Sequence, residues 1–144
     1  MQLSTNSQLR RNTRRRIERV LDIEPTLRIE KLENNGVRIN EYIITLLHGL
    51  WYVSGTDFSF CRRKSALGYV ICLINNNPNL ARRIDTLDNK LYALSDNISR
   101  YGHLMRVTAD NEKRDVFKSR ISRDVADLII NDSQLTTILK SLSL

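Results

Sequence analysis

One apolar row dominates residues 77–101: Leu80, Ile84, Leu87, Leu91, Leu94, Ile98 and Tyr101 recur at alternating spacings of four and three. That is the 3.5-residue period of a helix seam. No strand can carry it, because strand side chains alternate every second residue. Asn77 is a suitable N-cap. Pro78 comes next at the first helical position, where its missing N–H is harmless, and Gly102 suits the far end. Such a helix is about 36 Å long at 1.5 Å per residue, enough to cross a small domain. A chain with this element has to supply partners for its seam, from its own helices or from a second copy.

The remaining pattern is read as helical too. Five glycines and two prolines in 144 residues are few for a protein with many tight turns. Ser7 suits the cap of a helix over residues 7–21, which Pro25 separates from the next element. Residues 26–40 admit two structures. One is a short helix closed by Gly36. The other is a β-hairpin about Asn35-Gly36, with Leu32 facing Ile39 and Glu33 facing Arg38. The helix is preferred, because no other strand is evident to extend a two-stranded ribbon. Asn40 then caps a central helix to about residue 54, with Ile39, Tyr42, Ile43, Leu46, Leu47 and Leu50 inward and Trp51 and Val53 widening its apolar surface. Asp57 caps another, whose end, residues 66–74, is apolar all round and suits a buried helix or strand. After the seam helix, Asp110 caps a helix to Ile130. Asn131-Asp132-Ser133 then opens a last one. The expectation is an all-α, compact bundle of about six helices with a basic N-terminal helix. Residues 1–22 form the arginine-rich arm and residues 23–144 a single helical domain, the one alternative being the short β-hairpin over 27–40.

Charge supplies the lead to function. The formal charge is +7, and residues 1–21 hold Arg10, Arg11, Arg14, Arg15, Arg16 and Arg19 against Glu18 alone, a net of +5. A helix carrying this run places its arginines off the apolar side formed by Leu9, Ile17 and Val20. Guanidinium groups bind phosphates bidentately and stack on bases. Arg62, Arg63 and Lys64, and likewise Arg82 and Arg83, can extend the basic surface, the preferred alternative for each group being ordinary solvated charge. The segment from Asn12 through Thr13, Arg14, Arg15, Arg16, Ile17 and Glu18 to Arg19 resembles the arginine-rich motif of lambdoid phage antitermination N proteins. The resemblance covers about ten residues and implies an arm that folds into an RNA groove.

The expected function is therefore nucleic-acid binding, RNA ahead of DNA, through Arg10, Arg11, Arg14, Arg15, Arg16, Arg19, Arg62, Arg63 and Lys64. The alternative is a helical structural or adaptor protein, viral or phage-encoded, working by oligomerisation and partner docking. A homodimer through Leu80, Ile84, Leu87, Leu91, Leu94 and Ile98 fits the seam, with isoleucine at one heptad position and leucine at the other. Burial of the same row on the other helices of one chain is the slightly preferred alternative.

Catalysis is not expected. No glycine-rich phosphate loop, nucleophile elbow or His-Glu-x-x-His pattern occurs. His48 and His103 have no metal-ligand spacing with each other or with Cys61 and Cys72, so neither a metal nor a cofactor is expected. The cysteines are read as reduced, and Asp85 with Asp88, and Asp124 with Asp127, as solvated pairs. With no apolar signal segment and no run long enough for a bilayer, the expectation is a soluble cytoplasmic protein, or a nuclear one in a eukaryotic host.

Overall fold

The computed structural model describes residues 26–144. The helix expected over residues 7–21, with Arg10, Arg11, Arg14, Arg15, Arg16 and Arg19, lies outside the described residues. Among the described residues five strands come first: β1 (Ile29–Lys31), β2 (Val37–Ile39), β3 (Tyr42–Leu47), β4 (Leu50–Val53) and β5 (Ser59–Phe60). They form one antiparallel sheet in chain order. Three helices complete the chain: α1 (Arg63–Ile74), α2 (Pro78–Val107) and α3 (Asn111–Ser141). The chain divides between Arg82 and Arg83 into two compact units.

The expectation of an all-α bundle of six helices is overturned by this sheet. The central helix expected over residues 40–54 is the hairpin β3–β4. Tyr42, Ile43, Ile44 and Thr45, then Trp51, Tyr52 and Val53, are the β-branched and aromatic residues that pack well on a pleated surface. His48 and Gly49 connect them in left-handed conformation (φ 52° and 81°), the two-residue turn whose twist suits a hairpin. Asn40 is no helix cap. It is a left-handed turn residue (φ 54°) whose side-chain oxygen accepts from Arg28 N–H at 2.7 Å and whose amide donates to Thr26 O at 3.1 Å.

Residues 27–40 form the hairpin that was the less favoured of two expectations. Its register differs by three residues, because the turn takes Leu32 to Gly36. Glu30, not Glu33, faces Arg38, and the two form a surface ion pair at 3.4 Å. Pairing further strands onto this ribbon gives it the support that a lone hairpin lacks.

The sheet is apolar on one face. Val37, Ile39, Ile44, Val53 and Phe60 are buried there and in register. Helix α1 contributes Ala66, Tyr69 and Val70 to the same core. The Tyr69 ring lies 5.1 Å from both the Phe58 and the Phe60 ring, in tilted pairs. Residues 66–74, apolar all round, are thus a buried helix. Leu46 and Leu47, expected inward, sit at the exposed end of the β3–β4 hairpin, 45% and 54% accessible.

The second unit is a helical hairpin. Asn77 does cap α2, its Oδ1 accepting from Leu80 N–H at 3.3 Å, but the helix continues through Gly102 to Val107. Asp110 caps α3, accepting from the N–H groups of Glu112 and Lys113. Asn131 does not break that helix. It is buried and donates to the Asp127 carbonyl one turn back, so a single helix replaces the two expected. The helices run antiparallel. Arg83 Nη2 donates to Gln134 Oε1 at 2.8 Å, and at the opposite end the Tyr101 ring stacks on Phe117 at 6.0 Å. Of the seam, Ile84, Leu87 and Leu91 are buried within this one chain, whereas Leu80, Leu94 and Ile98 are half-buried.

Two substitutions test the sheet. Ile44→Ala removes a fully buried side chain and should lower unfolding free energy by about 2–5 kcal/mol. Leu47→Ala on the same strand should change it by no more than about 0.5 kcal/mol, as chemical denaturation of both variants will read. In the second unit, Leu87→Lys should abolish most of the helical circular dichroism at every concentration. A folded monomer would instead mean that the seam serves a contact between chains.

Candidate nucleic-acid interface

Local chemistry builds a basic cleft beside the first turn of α1. After β1 the chain folds back through Asn34 and Asn35, both left-handed (φ 55° and 63°), a conformation that asparagine tolerates better than most residues. Leu32 N–H donates to Gly36 O at 2.8 Å and Gly36 N–H to Glu33 O at 3.0 Å, which closes the turn. Gly36 is closely approached: a Cβ there would stand 3.2 Å from both the Glu33 and the Ile44 carbonyl oxygens, which would have to give by a few tenths of an ångström.

This turn presents the Asn35 carbonyl to Arg63, whose Nε–H donates to it at 3.2 Å. The same guanidinium lies over the Trp51 ring, 5.9 Å from its centroid, at the outer limit of a cation–π contact. Lys31, Leu32, Asn35, Gly36, Trp51 and Arg63 line a cleft of about 380 Å³. That is at the small end of the range for ligand pockets, roughly 300–1,000 Å³. Trp51 faces Leu46 across the β3–β4 ladder, so the partly exposed leucine continues the apolar surface.

Of the expected basic residues, Arg63 lines the cleft. Arg62 is the residue preceding α1, in extended conformation, and Lys64 is exposed one residue further on. Neither lines the cleft. Arg83 is engaged with Gln134 in the second unit, and Arg82 donates to Asn79 Oδ1 at 3.3 Å. Lys31, Asn35 and Trp51 were not among the expected site residues. Trp51 was assigned to the core of a helix, and its place on a strand turns it toward the cleft. A tryptophan alternating with Val53 just after a His-Gly turn was the available signal.

Among the described residues, no group of three or more His, Cys, Asp or Glu side chains is arranged to hold a metal. His48 lies exposed in the β3–β4 turn and His103 exposed on α2. Cys72 is buried in α1, which raises its thiol pKa, and Cys61 precedes that helix. The acidic pair on α2 is not solvated as expected: Asp88 is only 1% exposed and Asp85 is half-buried. Burial, and then the neighbouring charge of Asp88, raise the Asp85 pKa, with partial relief from the Asn89 amide that donates to it at 3.3 Å. No described helix is long and apolar enough to cross a membrane.

Compared with protein-family models, curated proteins and solved structures, the chain finds no match. The expectations of RNA ahead of DNA and of a viral source thus gain no support from the comparisons.

Asp85 gives a pH-dependent test. Its raised pKa means that the folded chain holds the proton more tightly than the unfolded chain. Its favourable contribution is therefore present below the usual 3.8 and lost as pH rises through the folded value. At neutral pH the carboxylate opposes folding, so Asp85→Asn should raise the thermal midpoint at pH 7. The gain should shrink as acid approaches the ordinary aspartate range. An equal shift at both pH values would show that the carboxylate's charge is not the cause.

Proposed function

We propose that this protein binds nucleic acid through its phosphate backbone. The arginine-rich segment with Arg10, Arg11, Arg14, Arg15, Arg16 and Arg19 acts together with Lys31, Arg62, Arg63 and Lys64. The observation that carries the proposal is the cleft, where a guanidinium held by the Asn35 carbonyl lies beside an accessible tryptophan and a lysine. Only one of the Arg63 donors is used on Asn35, and the planar fork of the remaining ones suits phosphate oxygens. Among the described residues, Lys31 and Arg63 are the cations that line this cleft, and an anionic ligand seated there would meet both. Phosphate contacts do not distinguish RNA from DNA, and the proposal extends to either.

A second function, an adaptor acting by self-association or partner docking, is favoured by a different observation. The helical hairpin leaves Tyr92, Val125, Ile129 and Ile130 exposed, although a typical helix surface is polar there. The two separate on ionic strength.

Binding of labelled oligonucleotides, followed by anisotropy across a salt titration, should show a steep loss of affinity with rising salt. Replacing Arg14, Arg15 and Arg16 together with alanine should flatten that slope by about one unit per lost phosphate contact while leaving circular dichroism unchanged. Absence of binding at low salt would remove the nucleic-acid function and leave the adaptor.

A further inference from the structure

We infer that the cleft is a stacking site for a single unpaired base, which makes single-stranded nucleic acid the preferred ligand. This rests on the nucleic-acid function proposed above and goes beyond it, because phosphate contact by itself does not select strandedness. Trp51 is the central residue. A tryptophan on a strand of this sheet has a buried core available to it, since Val53, its neighbour on the same face, is buried. Trp51 instead lines an open cleft, next to Leu46, which is 45% exposed. A half-buried aromatic side chain that shares an open cleft with cations has the chemistry of base-stacking platforms, where the ring meets the base and the cations follow the backbone.

The neighbouring groups fit one nucleotide. Lys31, at the end of β1, and the Nη groups of Arg63 stand at the same cleft and can take the phosphate that flanks the base. Arg63 already lies over the indole, and a guanidinium plane can itself stack on a base. Its anchor on Asn35 holds it there in the absence of ligand, which lowers the ordering needed on binding. A base inside a duplex is stacked on both sides and turns only its edges outward, so this ring can meet it only after it leaves the stack. Duplex nucleic acid can still reach the arginines and Lys31 by its phosphates, with no contribution from Trp51.

Trp51 is the only tryptophan of the chain, so its fluorescence reports the cleft without engineering. The full chain is titrated at low salt with three labelled probes, namely oligothymidylate, an abasic oligomer of equal length and a duplex of equal charge. Anisotropy gives affinity in each case and indole emission gives stacking. Oligothymidylate should quench the indole on binding, and the abasic oligomer and the duplex should bind without comparable quenching. Trp51→Ala should weaken oligothymidylate binding by roughly 5- to 150-fold, the usual span for one lost stacking contact, and leave the abasic oligomer unaffected. Trp51→Phe, which keeps a ring, should recover most of the loss. It also keeps the test valid if the alanine variant fails to fold by circular dichroism. Oligothymidylate bound without quenching, and equally well by Trp51→Phe and Trp51→Ala, would overturn the stacking site while leaving phosphate binding intact. No binding of any probe at low salt would overturn both.

Discussion

The first unit depends on one constraint, the need to cover the apolar face of a five-stranded sheet. Val37, Ile39, Ile44, Val53 and Phe60 make that face continuous, and a sheet with such a face is stable only against a second layer. Helix α1 contributes Ala66, Tyr69 and Val70 to that layer, and from Ser65 to Cys72 all of its residues but Leu67 are buried. Arg63 stands at the first position of this helix, so packing the core also places a guanidinium beside Trp51 and the β1–β2 turn. The β1–β2 turn, with Gly36 closely packed in it, presents the Asn35 carbonyl to that arginine. The cleft is thus a consequence of how the core is closed.

In the second unit the organising interaction is the seam between two long helices. Each helix also buries a polar group, Asp88 on α2 and Asn131 on α3. Asn131 satisfies its amide on the Asp127 carbonyl. A buried carboxylate is expensive unless it is stabilised, and its charge is felt by Asp85 one turn away. Cross-helix polar ties, Arg83 to Gln134 and Arg120 to the Tyr101 hydroxyl, add directionality to a seam that hydrophobic burial alone would leave free to slide.

Long-period signals were legible from the residues. The spacing of Leu80 through Tyr101 marked α2, Asn77 and Asp110 marked helix starts, and the unbroken apolar run before Ile74 marked a buried element. The sheet was not legible, for a physical reason. Strands of two to six residues are shorter than the window over which a period of 2 can be told from one of 3.6, and Tyr42 to Leu47 is apolar at almost every position. Asn131 shows the converse limit. An asparagine that ends helices in isolation is held within α3 because its side chain finds a carbonyl one turn back.

The same division holds for the candidate site. Residue composition and spacing by themselves determined that this chain carries a concentrated positive charge, a long helical seam and no metal-ligand spacing among its histidines and cysteines. Those are properties of residue type and order along one dimension. Only the tertiary structure decided that Lys31, Asn35, Trp51 and Arg63 share a cleft, and that Leu46 and Leu47 face solvent where the core had been expected. Register turns Lys31 and Trp51 to the same face of the sheet, whereas Leu46 and Leu47, which point to opposite faces, are both exposed because they end the β3–β4 hairpin. A register is settled by pairing between strands and by the layer packed against them, and neither is written in the local sequence.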